Sequence, residues 1–182
     1  MPRLVRALIG LACAAGIAAC SAGKGAPDFS LRDDRGQTWT LSQQHGSAVI
    51  LSFGFTHCRD TCPATLAKLS HASSSLRGHS RPVEIVFVTV DPARDDVATL
   101  HRFVSRFSPP SGGSIIGLTG TRAQIARVQS AYGVWSQPLR NGDIAHTAAI
   151  VFIDASGRLA DVQNDDATDE SLARSLAALA RS

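Results

Sequence analysis

Cysteine is scarce in this sequence: there are 4 in 182 residues, and Cys13 and Cys20 lie near the N-terminus. The chain has no internal repeat and no long low-complexity tract, which excludes solenoids and repetitive disordered proteins. Its formal net charge is only +3, part of it at the N-terminus, and no basic footprint for nucleic acid is present. The composition, 44% hydrophobic and 18% charged, is that of one globular domain with a sizeable core.

The N-terminus has the pattern of an export signal. Two arginines precede Ala7–Ala19, which is apolar or small throughout and too short to span a bilayer comfortably. Ile17–Cys20, IAAC, resembles the bacterial lipoprotein signal, in which the chain is cleaved before a cysteine that is then acylated. A plain secretory signal with an incidental Cys20 is the alternative. We expect a signal peptide at 1–19, a flexible tether at 20–26 and a folded domain at 27–182, held at the periplasmic side of the bacterial cell envelope.

Alternating strand and helix patterns predict an α/β domain. Asp28–Gly46 indicates a β-hairpin, and the apolar runs Ser47–Phe55 and Val83–Asp91 are typical of buried central strands. Helical patterns follow both runs, and a second hairpin with its turn at Asn141-Gly142 precedes the last strands. The terminal helix is predicted at Thr168–Arg181. We expect a thioredoxin-like fold: a central mixed sheet flanked by helices, with an N-terminal β-hairpin and an inserted hairpin.

Local signals predict where elements begin. Pro63 suits the first position of a helix, and Asp95 can cap a helix that runs to about Phe107. Thr121 with Gln124 forms a capping box. The second arm of the inserted hairpin is expected to continue into one strand over Thr147–Asp154.

Two cysteines, Cys58 and Cys62, remain for the folded domain, in the stretch FGFTHCRDTCP. A structural disulfide across so short a loop would remove little chain entropy. A helix starting at Pro63 would place Cys62 near its N-cap, where the helix dipole would lower the thiol pKa. The open alternatives are a disulfide that turns over, a peroxide-reactive thiol and a metal clip, since paired thiolates select Cu(I) or Zn(II).

A third candidate ligand lies far along the chain. Where thioredoxins have a proline facing the cysteines, this sequence reads DIAHTAAIVFID, with His146 and Thr147 and no proline. A neutral imidazole opposite two thiolates would complete a Cys₂His set, which suits copper in both oxidation states.

Over about Asp28–Leu159 the sequence resembles the Sco/SenC family of thioredoxin-fold copper proteins that serve cytochrome c oxidase assembly. The resemblance rests on FGFTHCRDTCPATLAKL, VTVDPARDD, IIGLTGTRAQIARVQSAYGV and the histidine before the final strands. It implies that Cys58, Cys62 and His146 bind copper, as Cu(I), Cu(II) or both. It also implies membrane tethering outside the cytoplasm, here through Cys20.

Residues around these ligands could tune the site. Arg59 stands where the family usually has proline, which makes the loop less rigid. His57 stands where the family usually has a small hydroxyl residue, and it could be an extra ligand, a proton acceptor for Cys58 or a solvated neighbour. The family resemblance suggests that Asp91 and Arg94 lie at the mouth of the site, whereas their structural role would be a strand end and a capping turn.

Two functions compete. A metallochaperone would pass copper to the dinuclear copper site of a cytochrome c oxidase subunit, whereas a thiol–disulfide reductase would reduce that subunit's cysteines. Other copper chaperones or thioredoxin-like reductants are further expected partners. A peroxiredoxin-type peroxidase is disfavoured, because it needs a threonine three residues before the reactive cysteine and positions 55 and 59 are Phe and Arg.

Overall fold

The computed structural model describes residues 24–74, 82–108 and 115–181. The predicted signal peptide and Cys20 lie outside the described residues. The nine described strands are β1 Ser30–Asp33, β2 Thr38–Thr40, β3 Ala48–Gly54, β4 Val83–Thr89, β5 Ile115–Thr119, β6 Ser136–Pro138, β7 Ile144–His146, β8 Ala149–Ile153 and β9 Leu159–Asn164. The four described α-helices are α1 Thr61–Ser74, α2 Val97–Val104, α3 Arg122–Ala131 and α4 Asp169–Arg181.

A mixed seven-stranded sheet forms the centre of the described structure, in the order β2-β1-β5-β4-β3-β8-β9. Strands β3, β4 and β5 are parallel, and β1 and β8 join them in the antiparallel direction. Every residue of β3 is buried, as its continuous apolar run predicts. The predicted fold class and the N-terminal hairpin are therefore confirmed.

Helices cover both faces of the sheet and divide the core in two. On one face Val49, Leu51 and Phe53 of β3 pack in a cluster with α3, through Ile125 and Val128. On the other face the apolar residues of α1, α2 and α4 pack together, and Cys62 of α1 belongs to this second cluster. Alternate residues of one strand thus serve separate cores, since neighbouring strand side chains point to opposite faces.

The inserted hairpin is a separate two-stranded sheet, in which β6 pairs with β7 and Ser136 lies opposite His146. Gly142 occupies its turn with a φ of +82°, a conformation that favours glycine. The prediction of one strand over Thr147–Asp154 is wrong. The Thr147 N–H donates to the Trp135 carbonyl (2.8 Å) and closes the hairpin, and a new strand, β8, begins at Ala149 to pair with β3.

Two predicted helix starts are also wrong. Pro63 is the third residue of α1, because the helix already begins at Thr61. Asp96, not Asp95, caps α2 by accepting the Thr99 N–H at 2.7 Å. Helix α2 ends at Val104 and continues as a 3₁₀ turn to Phe107, close to the expected end. The capping box of α3 is present as predicted.

The last residues of the predicted tether contact the domain. Gly25 forms a β-bridge with Arg158, and the Leu159 N–H donates to the Lys24 carbonyl at 3.0 Å. Among the described residues, none of the helices has both the length and the apolar character needed to traverse a bilayer.

Candidate metal centre

The two cysteines of the domain meet where β3 passes into α1. Both are free thiols; Cys62 is buried and Cys58 is half-buried. The Cys62 N–H donates to the Cys58 Sγ at 3.3 Å, and the Cys58 N–H donates to the Phe55 carbonyl at 3.2 Å. The sulfur that receives a backbone N–H at the start of the helix is therefore that of Cys58, since Cys62 is already the second helical residue.

The environment of Cys62 contradicts the predicted thiolate. Burial raises the pKa of Cys62 well above that of a free thiol, and its hydrogen bond with the Cys58 side chain raises it further. A backbone hydrogen bond from Phe55 lowers the pKa but does not offset burial. The predicted lowering of the Cys62 pKa is wrong because Cys62 faces the core with α1 residues such as Leu66, instead of facing solvent at the helix end.

Gly54 makes room for the Cys62 thiol. A Cβ at position 54 would lie 2.7 Å from the Cys62 Sγ and 2.8 Å from the Phe87 ring, closer than real Cβ contacts. Glycine is therefore required here by close approach, because any side chain would displace the sulfur. Gly54 belongs to the stretch FGFTHCRDTCP, whose residue pattern alone does not indicate this close approach.

His146 lies at the end of β7, half-buried, with its ring edge-on to Phe55 at a centroid distance of 5.8 Å. Its Nδ1 is 3.0 Å from the Thr147 carbonyl. A carbonyl can only accept, so Nδ1 carries the hydrogen and Nε2 keeps its lone pair. In the neutral imidazole this hydrogen bond leaves Nε2 as the nitrogen that could bind a metal ion.

The structure brings the two cysteines together but does not close the full set of predicted ligands. Within the described parts of the chain, no three His, Cys, Asp or Glu side chains are grouped so that they could hold a metal ion. Phe55 lies between the cysteine pair and His146: its backbone contacts Cys62 and its ring contacts the imidazole. The donor types, two thiols and an imidazole nitrogen, fit a soft metal.

A buried carboxylate missed by the sequence analysis holds the loop in front of Cys58. Asp95, 0% exposed, accepts the Thr56 N–H at 3.0 Å and the Thr56 and Thr89 hydroxyls at 2.6 Å each. His57 Nδ1 lies 3.2 Å from the Thr56 hydroxyl and 3.8 Å from Asp95. The sequence signal for this role was the pair Asp95-Asp96 in VTVDPARDD: one aspartate is enough to cap α2, so the other was available for a buried role.

Asp91 and Arg94 lie beside the cysteine loop and contact each other through the Arg94 Nε and the Asp91 carboxylate. The other side of the Arg94 guanidinium donates to the Gly142 carbonyl at 2.8 Å. Arg94 and Cys58 border an open polar cleft of about 580 Å³, whereas Asp91 lies behind Arg94 and does not line it. Its lining residues are His57, Cys58, Arg59, Asp60, Thr61, Arg94 and the hairpin tip 141–143.

Comparison with known proteins decides the family. The sequence model of the SCO1/SenC family matches residues 19–181. The chain belongs to the SCO1/SenC family. Among curated relatives, the mitochondrial SCO2 homolog of Bos taurus is 39% identical over 144 residues, 75% of this chain and 53% of that protein. An SCO2-like protein of Rickettsia felis is 31% identical over 137 residues, 72% of this chain and 65% of the relative.

Solved structures of SCO1/SenC proteins share the fold. Arabidopsis thaliana ScoI with copper bound matches with a TM-score of 0.77 and 30% identity, covering 86% of this chain and 98% of that one. Yeast Sco1 with copper bound matches with a TM-score of 0.75 and 27% identity, covering 87% and 90%. This chain spans only 53 to 61% of the length of the mammalian SCO2 relatives it matches.

Within this SCO1/SenC site, His57 and Arg59 are the two expected departures from the usual family sequence, and Arg59 lies at the cleft. Its side chain is exposed at the cleft and forms no hydrogen bond or ion pair within the described residues. Its guanidinium therefore adds positive charge next to the accessible thiol of Cys58 without contributing to the fold.

Proposed function

We propose that this SCO1/SenC protein binds one copper ion through Cys58, Cys62 and His146 and delivers it to the dinuclear copper site of cytochrome c oxidase. One observation carries the proposal: two reduced cysteines, joined by a hydrogen bond from the Cys62 backbone N–H to the Cys58 Sγ, lie near a hairpin whose histidine uses Nδ1, and not Nε2, for its own hydrogen bond. Members of the family work in cytochrome c oxidase assembly, and solved relatives contain copper.

The two thiols have different tasks in this proposal. Cys62, buried and held as a thiol, gives up its proton on binding and supplies the inner sulfur ligand. Cys58 lines the open cleft and is the ligand that an incoming thiolate of a partner can replace first. His146 completes the set when its hairpin moves toward the pair, so its Nε2 is also the ligand most easily withdrawn during transfer.

The same proposal includes an anchored location. Cleavage after residue 19 and acylation of Cys20 would fix the domain to the periplasmic side of the bacterial cell envelope, where cysteine-containing copper subunits are assembled. The IAAC pattern at Ile17–Cys20 supports this anchor. A mass measurement of the mature N-terminus tests it: an acylated cysteine at position 20 is expected, and an unmodified N-terminus would contradict it.

A second candidate function, thiol–disulfide reduction of the oxidase subunit, is favoured by the unequal exposure of the two cysteines. The accessible Cys58 thiolate would attack a partner disulfide and form a mixed disulfide, releasing one partner thiolate. Cys62 would then attack the Cys58 sulfur, release the second partner thiolate and leave a Cys58–Cys62 disulfide. A thioredoxin-like dithiol would reduce that disulfide and restore the pair.

Anaerobic titration of the fully reduced protein with Cu(I) against a colorimetric chelator separates the two functions. We expect a 1:1 complex that weakens sharply in both His146→Ala and Cys58→Ser. His45→Ala, in a loop of the same domain, is the matched histidine control and is expected to bind as wild type. Weak binding that is indifferent to His146, with Cys58 and Cys62 still exchanging readily with a disulfide substrate, would refute the chaperone and leave the reductase.

A further inference from the structure

The short segment Asp91–Asp95 contacts both halves of the candidate site. Its Asp95 carboxylate holds Thr56, two residues before Cys58. Its Arg94 guanidinium donates to the carbonyl of Gly142, at the tip of the hairpin that carries His146. The segment is itself a closed turn, since the Arg94 and Asp95 N–H groups both donate to the Asp91 carbonyl at 3.2 and 3.0 Å.

The hairpin has few other polar ties to the domain. Strands β6 and β7 pair with each other and do not join the seven-stranded sheet. At the base, the Gln129 side-chain amide donates to the Ser136 hydroxyl at 2.8 Å, and Ile144 packs against the core. At the tip, the Arg94 guanidinium bonds the Gly142 carbonyl, and within the described residues this is the side-chain hydrogen bond that joins the tip to the rest of the domain.

The two contacts of the Arg94 guanidinium differ in strength: the ion pair with Asp91 is the stronger, and the hydrogen bond to the Gly142 carbonyl is the weaker. Asp91, 8% exposed, orients the guanidinium through Nε, so the arginine loses little freedom when it also bonds the hairpin. The Arg94 side chain is 37% exposed, and its bond to the Gly142 carbonyl is open to competing water. Such a charge-assisted bond biases the position of the hairpin without locking it.

We propose that Arg94 is the positioning residue that keeps the hairpin over the cysteine pair, so that His146 needs only a short movement to reach the metal. The metal-binding part of this inference rests on the proposed function. Without the Arg94 bond the metal-free hairpin samples a wider range of positions, and the population ready to bind falls. Apparent affinity falls by the same fraction.

The metal-free protein tests the tether directly. Arg94→Met keeps most of the side-chain length and removes all donors. Amide hydrogen exchange of Leu139, whose N–H donates to Asp143 within the hairpin, is expected to accelerate about 3- to 10-fold. The amide of Val90, which donates to Gly54 in the main sheet, is expected to keep its rate. Unchanged exchange at Leu139 would overturn the proposal, whether or not the protein binds copper.

A double-mutant cycle then tests the link to His146. Arg94→Met is expected to weaken Cu(I) binding about 3- to 10-fold in the wild-type background and to have no effect in the His146→Ala background. Arg94→Lys, which can reach Asp91 or Gly142 but not both, is expected to restore part of the affinity. The charge-matched control is Arg140→Met, on the same hairpin, which should bind as wild type.

The outcomes of the double-mutant cycle decide whether Arg94 positions the hairpin. An Arg94→Met effect of equal size in both backgrounds would mean a general loss of stability and would overturn the proposal. Tighter binding by Arg94→Met would also overturn it, because the bond would then hold the hairpin away from the thiols. Failure of the wild-type protein to bind Cu(I) would instead refute the proposed function, and hydrogen exchange would still decide the role of Arg94.

Discussion

Replacing Asp95 by alanine should destabilise the domain and loosen the cysteine loop together. The carboxylate is completely buried and accepts one backbone N–H and two hydroxyls, from Thr56 and Thr89. Alanine would remove the acceptor of all three donors, of which the Thr89 hydroxyl is fully buried and the Thr56 groups are part-buried. The Asp95 carbonyl also accepts the Thr119 hydroxyl at 2.9 Å, a bond that the substitution does not remove.

The expected cost follows from those donors. A buried donor left without a partner costs roughly 1–3 kcal/mol, and hydroxyls can rotate to find other acceptors more easily than a fixed backbone N–H can. Removing the carboxylate also recovers its desolvation cost, which offsets part of the loss. We therefore expect Asp95→Ala to lower the free energy of unfolding by about 3 kcal/mol, out of a typical total of about 5–15.

Urea unfolding measures this change as a shift in the urea concentration at the midpoint, with the m-value unchanged. Asp96→Ala is the matched control, because it removes the neighbouring aspartate, whose exposed carboxylate accepts the Thr99 N–H as the cap of α2. The loss should be clearly larger for Asp95→Ala than for Asp96→Ala. Equal losses in the two variants, or a loss below about 1 kcal/mol for Asp95→Ala, would refute the role assigned to the buried carboxylate.

Three further outcomes follow from the same site and its surroundings. With iodoacetamide at about pH 8, Cys58 should be alkylated at least about 10-fold faster than Cys62, because Cys62 is buried and its pKa is raised; equal peptide labelling by mass spectrometry would contradict this. Gly54→Ala should cost about 1–3 kcal/mol in urea unfolding, since its Cβ would lie 2.7 Å from the Cys62 Sγ; an unchanged midpoint would show that the sulfur moves freely. Burial opposes ionisation of Asp154, but hydrogen bonds from Ser156 and Arg158 outweigh it and lower the Asp154 pKa. A lowered native pKa gives stability that is present above the unfolded value and lost as the pH falls through the native one. Asp154→Asn should therefore lose less stability than wild type below about pH 4, and parallel pH profiles would contradict this.

Local sequence patterns predicted most of the fold. The continuous apolar run at Ser47–Phe55 indicated the central strand, and Asn141-Gly142 indicated the hairpin turn, as the structure confirms. These signals are short-range: strand propensity, turn conformation and capping depend on residues a few positions apart. The division between β7 and β8 was not predicted, because it follows from Thr147 bonding to Trp135, 12 residues away.

The site was predicted by residue type but not by environment. Cys58 and Cys62 were expected together and lie together, yet the pKa of Cys62 changes in the opposite direction from the prediction. Pro63 and its neighbours indicate that a helix follows β3, whereas burial of the thiol depends on how α1 packs on the sheet. His146 as a copper ligand remains a prediction, since its approach to the pair depends on the position of the hairpin.

By itself the sequence determined the order of elements, the family and the chemical types of donor, because these are properties of residues and their near neighbours. Tertiary structure alone decided which of two adjacent aspartates is buried under the cysteine loop and which caps a helix. It also decided that Arg94 joins a hairpin tip 48 residues away. The physical reason is that burial, and hydrogen-bond partners far apart in the chain, depend on how the elements pack together. The identity of a residue and the pattern of its near neighbours do not specify that packing.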